Sequence, residues 1–202
     1  MRRQTTRRGF LGASGVALAG CLGGDDANAD PPDGPVANAP IPSEPASYDY
    51  ATMGDRDAAV TATYFSNWKC PHCADFSVGF LETLVTEYVE PGDVSIQHRA
   101  LAYTQQGPWM GSDAPRAARA GLSVWYTDPD SYWRFHEHVM ANQASPRDNW
   151  ATTDRLVELA REAGVSDIDT VRSDIESGAH DDAVRATSSV AGQVGVSSTP
   201  SL

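Results

Sequence analysis

The sequence predicts an α/β domain, because a strand, a helix and a second strand are followed by a block of helices. Residues 59–65 are β-branched and aromatic, which is typical of a buried strand. Apolar residues recur at helical spacing over 76–89, and Pro91-Gly92 ends that helix. Residues 94–101 supply the second strand. This order predicts a β-α-β unit at the start of the domain.

Residues 112–194 contain five further stretches with apolar residues at helical spacing. They predict a helical block inserted into the α/β pattern. Together with the β-α-β unit, the block predicts one folded domain over 48–202.

The 202-residue chain is acidic, with 27 Asp and Glu against 15 Lys and Arg and a net charge of -12. This charge excludes a nucleic-acid binder that works through a broad basic surface. Lys69 is the one lysine among these cations. An acidic, lysine-poor composition resembles the salt-adapted proteins of halophilic archaea, and an ordinary acidic surface is the alternative.

Residues 1–20 have the layout of an export signal, with four arginines ahead of a short apolar stretch. The string at 6–11, Thr-Arg-Arg-Gly-Phe-Leu, resembles a twin-arginine signal. Residues 18–21, Leu-Ala-Gly-Cys, resemble a lipobox, so Cys21 is predicted to carry lipid after cleavage. The alternative is a plain signal peptide with an incidental cysteine. We therefore expect a protein tethered to the outer face of the cell membrane.

Residues 21–47 are rich in Gly, Asp, Pro and Ala and show no apolar periodicity. Such a segment buries too little apolar surface to order itself. We predict a flexible linker between the lipid and the folded domain.

The segment Cys70-Pro71-His72-Cys73 follows the first strand and begins the predicted helix. Unpaired N–H groups and a partial positive charge at a helix N-terminus favour a thiolate, and Cys70 is best placed to feel them and to be accessible. His72, when protonated, would add to this effect, and Pro71 suits the first helical turn. The pair predicts thiol–disulfide exchange. A zinc half-site and an inert structural disulfide are the alternatives.

Residues 65–73, Phe-Ser-Asn-Trp-Lys-Cys-Pro-His-Cys, and residues 195–200, Gly-Val-Ser-Ser-Thr-Pro, are similar to the two site segments of the DsbA family. The resemblance covers about 60–202 and implies a thioredoxin-like fold with an inserted helical block. It also implies a dithiol oxidoreductase that acts on exported proteins and is recycled by a redox partner. Its redox group would be the Cys70–Cys73 disulfide, with no other cofactor and no metal.

The resemblance also implies a role for each site residue. Cys70 would be the nucleophile and Cys73 the resolving thiol, with His72 tuning the thiolate. Thr199 and Pro200, in a loop with a cis proline, would contact the substrate backbone.

Two departures from the family pattern affect this expectation. Many relatives carry a buried acid where this chain has Tyr64, so proton transfer to Cys73 needs water or another side chain. The family also continues with two strands and a final helix beyond the position of Leu202. We therefore expect these elements to be missing and the chain to be unstable alone.

The remaining interpretations concern the direction of exchange and several single residues. The Pro-His dipeptide favours an oxidase over an isomerase or reductase, and a copper- or zinc-handling protein is the alternative from another class. Trp68 is either a substrate-facing aromatic or a packing residue, and Lys69 either favours the thiolate or is a solvent-exposed lysine. His136 and His138 are expected to be solvated or to cap a helix, and His98 to be a satisfied sheet histidine.

Overall fold

The computed structural model describes residues 32–202, which form a three-stranded sheet packed against helices. The strands are β1 (Thr52–Met53), β2 (Val60–Ser66) and β3 (Val94–Ala100), with a small hairpin of β4 (Tyr103–Thr104) and β5 (Gly107–Pro108). In the sheet, β3 lies in the centre, pairs parallel with β2 and pairs antiparallel with β1. The parallel register runs from Val60 opposite Val94 to Ser66 opposite Ala100.

A helix connects β2 to β3, as the crossover between parallel strands requires. It starts as α1 (Pro71–Phe76) and passes through a π-helical segment (Ser77–Leu81), α2 (Glu82–Leu84) and a second π-helical segment (Val85–Val89). Leu81, Val85 and Val89 are buried, which gives the helix its packed face. The predicted β-α-β unit is present.

The predicted helical block consists of α3 (Ala114–Thr127), α4 (Tyr132–Ala141), α5 (Thr153–Glu162), α6 (Ile168–Ser177) and α7 (Asp181–Gln193). The middle of α3 is rich in alanine, so side chains from other elements can pack close to its backbone. A Cβ added at Gly121 would lie 2.5 Å from the ring of Trp68. Glycine is therefore required here so that α3 can pack against Trp68.

After α7, the chain returns to the free edge of β2. Residues Ser201 and Phe65 form an antiparallel bridge, with N···O distances of 2.8 and 3.0 Å. The bridge holds the Thr199–Pro200 peptide, which is cis, near the end of β2. This return brings residues 195–200 to residues 65–73, the two segments predicted to form the site.

The structure corrects the predicted flexible linker over the part that it describes, residues 32–47. Val36 and Ala39 are buried in the main core, and Ile41 packs against it. The carbonyl of Pro40 accepts a hydrogen bond of 2.7 Å from the N–H of Gly54. Composition misled the prediction because a few apolar side chains without periodicity suffice to anchor a segment to an existing core.

The predicted signal peptide (1–20) and Cys21 lie outside the described residues. Within 32–202, no helix combines the length and the apolar character needed to cross a bilayer.

Candidate functional site

The two thiols lie at the start of α1. Cys70 is the N-cap residue, Pro71 occupies the first turn and Cys73 follows within it. The N–H of Cys73 donates to the carbonyl of Cys70 at 3.0 Å. Both cysteines are free thiols and both are buried, at 1% and 0% exposure. The expectation that Cys70 is accessible is therefore wrong for this conformation, because the returning loop covers it.

Hydrogen bonds and burial shift the pKa values of the two thiols in opposite directions. A hydrogen bond from Cys73 lowers the pKa of Cys70 to about 5, against the opposing effect of burial. Thr199 and the backbone N–H groups of Cys73 and His72 lower it further. The pKa of Cys73 is raised, first because its thiol is hydrogen-bonded to Cys70 and second by burial. Cys70 therefore favours the thiolate and Cys73 the neutral thiol.

The loop with the cis proline borders Cys70. The Sγ atom of Cys70 lies 3.5 Å from the carbonyl oxygen of Thr199, a residue 129 positions away. Thr199 itself is buried, whereas Pro200 is half-buried. The structure therefore brings together four of the predicted site residues, Cys70, Cys73, Thr199 and Pro200.

His72 points away from the thiols. Its side chain is 83% exposed and its Nδ1 lies 3.9 Å from the carboxylate of Asp75. Its backbone N–H is the part of His72 that lowers the pKa of Cys70. Tuning by the imidazole charge stays a prediction.

Trp68 is not at the surface. It is 2% exposed, and its ring packs at 5.3–5.6 Å, centroid to centroid, from His98, Phe135 and His136. A side chain enclosed in this way cannot meet a substrate. The packing interpretation is therefore correct and substrate contact is wrong.

Lys69 is fully buried and forms an ion pair with Asp113. Its ammonium group also donates to the carbonyl of Asp148 at 3.0 Å, and Asp113 accepts from the N–H of Ala151 at 2.9 Å. The prediction of an exposed lysine is wrong, because a carboxylate 44 positions away compensates its charge. Because of this ion pair, Lys69 does not act as a free positive charge beside Cys70.

The histidines of α4 are also buried, at 0% for His136 and 2% for His138. The prediction of solvated or capping histidines is wrong, because α4 packs against neighbouring helices on more than one side. His138 contacts Glu162 at 2.9 Å (Nε2 to Oε2), whereas Nδ1 of His136 lies 3.3 Å from the hydroxyl of Ser77. His98 is a satisfied sheet histidine, as expected, with Nε2 2.5 Å from the hydroxyl of Ser66 and Nδ1 2.6 Å from that of Tyr132.

Sequence reasoning missed a buried polar group behind Cys73. Ser77 donates a hydrogen bond to the carboxylate of Glu137, and both lie beside His136. Two signals in the sequence could have indicated it. Ser77 is four residues after Cys73 on the same helix, and Glu137 is the lone acid between two histidines.

The metal alternative needs ligands in addition to the two thiols. Among residues 32–202, no group of three or more His, Cys, Asp or Glu side chains is arranged to hold a metal ion. Of the nearby histidines, His72 is directed into solvent.

Comparison with known proteins identifies the family. A family profile described as "Thioredoxin" matches residues 47–202. The chain belongs to this thioredoxin family. The predicted thioredoxin-like fold with a helical insertion is confirmed by the structures that it resembles. BdbD from Bacillus subtilis in its oxidised form has a TM-score of 0.68 and 26% identity, over 81% of this chain and 84% of that chain.

Other relatives of this thioredoxin-family chain carry names that refer to disulfide bonds. A probable disulfide bond formation protein D from Bacillus cereus is 32% identical over 111 residues, which are 55% of this chain and 49% of that protein. The match thus spans about half of that relative's length. The disulfide bond formation protein D of Bacillus subtilis is 25% identical over 82% of this chain and 72% of that protein. DsbA from Chlamydia trachomatis, at 21% identity and a TM-score of 0.65 over 75% of this chain and 78% of that chain, shares the fold.

Proposed function

We propose that this chain is a thiol–disulfide oxidoreductase that introduces disulfides into exported proteins. The observation that carries the proposal is the pairing of a low-pKa thiol, Cys70, with a neutral thiol, Cys73, at a helix N-terminus. Relatives named as disulfide bond formation proteins support the same chemistry.

The oxidised form holds a Cys70–Cys73 disulfide, which is the only redox group that the reaction needs. A substrate thiolate attacks the sulfur of Cys70, the disulfide breaks, and Cys73 leaves with the electron pair. A second substrate thiolate then attacks the substrate sulfur of the mixed disulfide and releases Cys70 as a thiolate. The substrate loses two electrons and the enzyme gains them.

The low pKa of Cys70 supports the oxidising direction. A stabilised thiolate favours the reduced enzyme, so the disulfide form is a strong oxidant. A low-pKa thiolate is also the better leaving group, which speeds the release of oxidised substrate. Isomerase or reductase activity is the alternative within this class.

Thr199 and Pro200 bind the extended backbone of the substrate next to Cys70. The support is their position, since the carbonyl of Thr199 lies 3.5 Å from the Cys70 sulfur. Because this loop covers Cys70 in the free chain, we expect it to shift when a substrate binds. His72, whose side chain lies exposed beside Asp75, is the residue proposed to tune the Cys70 thiolate.

The partners are exported proteins with free thiols and a separate disulfide-bearing protein that re-oxidises Cys70 and Cys73. The twin-arginine string and the lipobox at 18–21 support export and attachment through lipid on Cys21 to the outer face of the cell membrane. The acidic composition with a single lysine supports a salt-adapted host. Mass spectrometry of the membrane fraction should detect a lipid-modified Cys21 as the processed N-terminus, and an unmodified Cys21 would refute the anchor.

The roles of the cysteines are tested by trapping. Cys73→Ser should accumulate mixed disulfides between Cys70 and a reduced test protein, whereas Cys70→Ser should accumulate none. Titration of the wild-type Cys70–Cys73 pair against glutathione buffers then gives its reduction potential. The potential indicates whether the chain acts as an oxidase or as an isomerase or reductase. Adducts that form mainly through Cys73 would reverse the roles, and a potential near that of thioredoxin would favour a reductase.

A further inference from the structure

Asn67 begins the turn that connects β2 to the thiols, and its side chain is buried. The carbonyl of Asn67 accepts a hydrogen bond from the N–H of Cys70 at 2.9 Å, which closes a four-residue turn over 67–70, the thiol turn. Oδ1 of Asn67 accepts from the N–H of Lys69, also at 2.9 Å. Asparagine favours such turns because its side chain can bind the backbone two residues further along.

The Nδ2 group of Asn67 joins the thiol turn to two distant segments. It donates to the carbonyl of Leu101 at 2.9 Å and to the carbonyl of Trp109 at 3.2 Å. These two residues directly follow β3 and β5. An amide rotated by half a turn would place Oδ1 against both carbonyls and Nδ2 against the N–H of Lys69, so the partners determine its orientation. The side chain of Asn67 therefore holds the thiol turn in place from both of its ends.

The backbone N–H of Asn67 is directed at the sulfur of Cys73. The nitrogen lies 3.4 Å from Sγ, within hydrogen-bond range of a sulfur acceptor. Cys73 is fully buried, so water does not surround its sulfur. The hydrogen bond with Cys70 and burial raise the pKa of Cys73, whereas the N–H of Asn67 lowers it. This N–H therefore stabilises negative charge on a sulfur that lacks the solvation a thiolate has in water.

Thr199 also lowers the pKa of Cys73, but its place in the fold differs from that of Asn67. Thr199 belongs to the loop that covers Cys70, and we expect this loop to shift when a substrate binds. Asn67 is held by backbone groups that follow β3 and β5. Its N–H is therefore the donor expected to stay at the Cys73 sulfur throughout the exchange.

We propose that Asn67 is a positioning residue for disulfide exchange, whose side chain holds its own backbone N–H against the sulfur of Cys73. The N–H then stabilises the thiolate that Cys73 becomes when the disulfide opens. A preorganised donor that faces a developing charge in a site without water lowers the barrier to the step that creates the charge. The inference rests on the proposed function and adds a donor for the leaving sulfur.

The step that Asn67 assists balances in bonds, electrons and protons. A substrate thiol loses its proton to solvent, and the resulting thiolate forms a bond to the sulfur of Cys70. The Cys70–Cys73 bond breaks, and its electron pair moves to the Cys73 sulfur, which faces the N–H of Asn67. The substrate sulfur is thereby oxidised to a mixed disulfide and Cys73 is reduced. Cys73 then takes up one proton, equivalent to the one that the substrate released.

The test measures how fast the disulfide opens in the full chain. Oxidised protein is mixed with excess reduced glutathione, quenched with acid at short times and analysed by mass spectrometry for the remaining Cys70–Cys73 disulfide. Asn67→Ala should open it on the order of tenfold more slowly than the wild type, because the N–H is no longer held at the sulfur. Asn67→Ser should recover part of the rate, because its hydroxyl can still accept from the N–H of Lys69.

The equilibrium with glutathione gives a readout that a purely structural role would not change. A disulfide sulfur is a weaker hydrogen-bond acceptor than a thiolate, so the N–H of Asn67 favours the reduced form. Asn67→Ala should therefore shift the equilibrium toward the disulfide, on the order of tenfold. A general loss of stability would weaken both forms alike and leave the equilibrium unchanged, and an unchanged equilibrium would overturn the proposal.

Gln143→Ala is the matched control. Nε2 of Gln143 donates to the carbonyl of Trp68 at 3.0 Å, so this variant also removes an amide that holds the thiol turn, and its other described hydrogen bond goes to Met140 rather than to Cys73. It should open the disulfide at the wild-type rate. Equal slowing in both alanine variants, or a wild-type rate in Asn67→Ala, would overturn the role of Asn67 and leave the proposed function intact. A wild-type chain that does not react with glutathione would overturn both.

A second measurement applies even if Asn67→Ala does not fold. Cys73→Ala removes the sulfur and leaves Asn67 in place, so hydrogen exchange at the N–H of Asn67, followed by NMR, should become about tenfold faster than in the reduced wild type. The N–H of Cys70, which donates to the carbonyl of Asn67, should exchange at the same rate in both proteins. Equal exchange at Asn67 with and without the Cys73 sulfur would overturn the proposal.

Discussion

Cys70 and Cys73 lie in the same helical turn and are equally buried, but the polar groups beside them differ. Next to Cys70, the buried charge of Lys69 is compensated by Asp113, and both groups have further backbone partners. Behind Cys73, Glu137 has no cation among the described residues.

The buried charge beside Cys70 is thus paired with an opposite charge, whereas the one near Cys73 is held by hydrogen-bonding neutral groups and a histidine. The Lys69–Asp113 ion pair joins the residue beside Cys70 to the start of α3. Glu137 instead contacts the hydroxyl of Ser77 and the imidazole of His136. The Cys70 side is therefore expected to lose more stability than the Cys73 side when its buried charge is removed.

The largest expected effect is a difference in reactivity between the two thiols. With its pKa lowered to about 5 by the hydrogen bond from Cys73, Cys70 is mostly thiolate at pH 6, whereas Cys73 remains neutral. Iodoacetamide at pH 6 should therefore alkylate Cys70 at least about a hundredfold faster than Cys73. Peptide mapping by mass spectrometry measures both rates, and equal rates would contradict the assignment.

The same pKa shift sets a pH dependence of stability in the reduced chain. The folded-state pKa of Cys70 lies below its unfolded value of about 8.5. Its stabilising contribution is thus fully present above that value and is lost as the pH falls through about 5. Between these limits, the free energy of unfolding should rise with pH more steeply in the wild type than in Cys70→Ser. Parallel profiles of the two proteins would contradict this.

The next prediction concerns the Lys69–Asp113 ion pair beside Cys70. Lys69→Met leaves the buried Asp113 carboxylate without its cation and should reduce the free energy of unfolding by about 3–5 kcal/mol. Denaturant titration measures the loss. The double change Lys69→Met with Asp113→Leu removes both charges and should cost less than Lys69→Met alone. A single variant as stable as the wild type would show that the pair is not needed.

A smaller effect on stability is expected at Glu137, which has no cation beside it among the described residues. Glu137→Gln keeps an acceptor for the Ser77 hydroxyl and removes a buried charge that lacks a cation, so the free energy of unfolding should change by about 1 kcal/mol or less. The same denaturant titration measures it. A loss as large as that of Lys69→Met would mean that Glu137 is structural and that the two sides do not differ.

The smallest effect is expected at an exposed ion pair. Arg172 lies 2.7 Å from Asp154, but these side chains are 38% and 87% exposed. Arg172→Ala should change the free energy of unfolding by only about 0.5 kcal/mol, and less in concentrated salt. A loss of several kcal/mol would show that burial is not what separates the Lys69–Asp113 pair from the surface pairs.

Local sequence was enough to predict the β-α-β unit and the place of the cysteines at the start of a helix. These features depend on neighbours along the chain, namely apolar periodicity and a proline in the first turn, and local sequence carries that information. The helical block over 112–194 was predictable for the same reason. The pairing of Thr199 with Cys70 came from resemblance to a family, because no local pattern links residues 129 positions apart.

Tertiary structure alone decided which of the polar and aromatic side chains are buried. Lys69, His136 and Trp68 look like surface or site residues in the sequence, yet each is enclosed by groups from distant segments. The segment 32–47 likewise looks flexible until the core that receives Val36 is present. Burial and charge compensation depend on what the rest of the chain packs against a side chain, and this is why the position of Glu137 beside Ser77 and His136 emerged only from the fold.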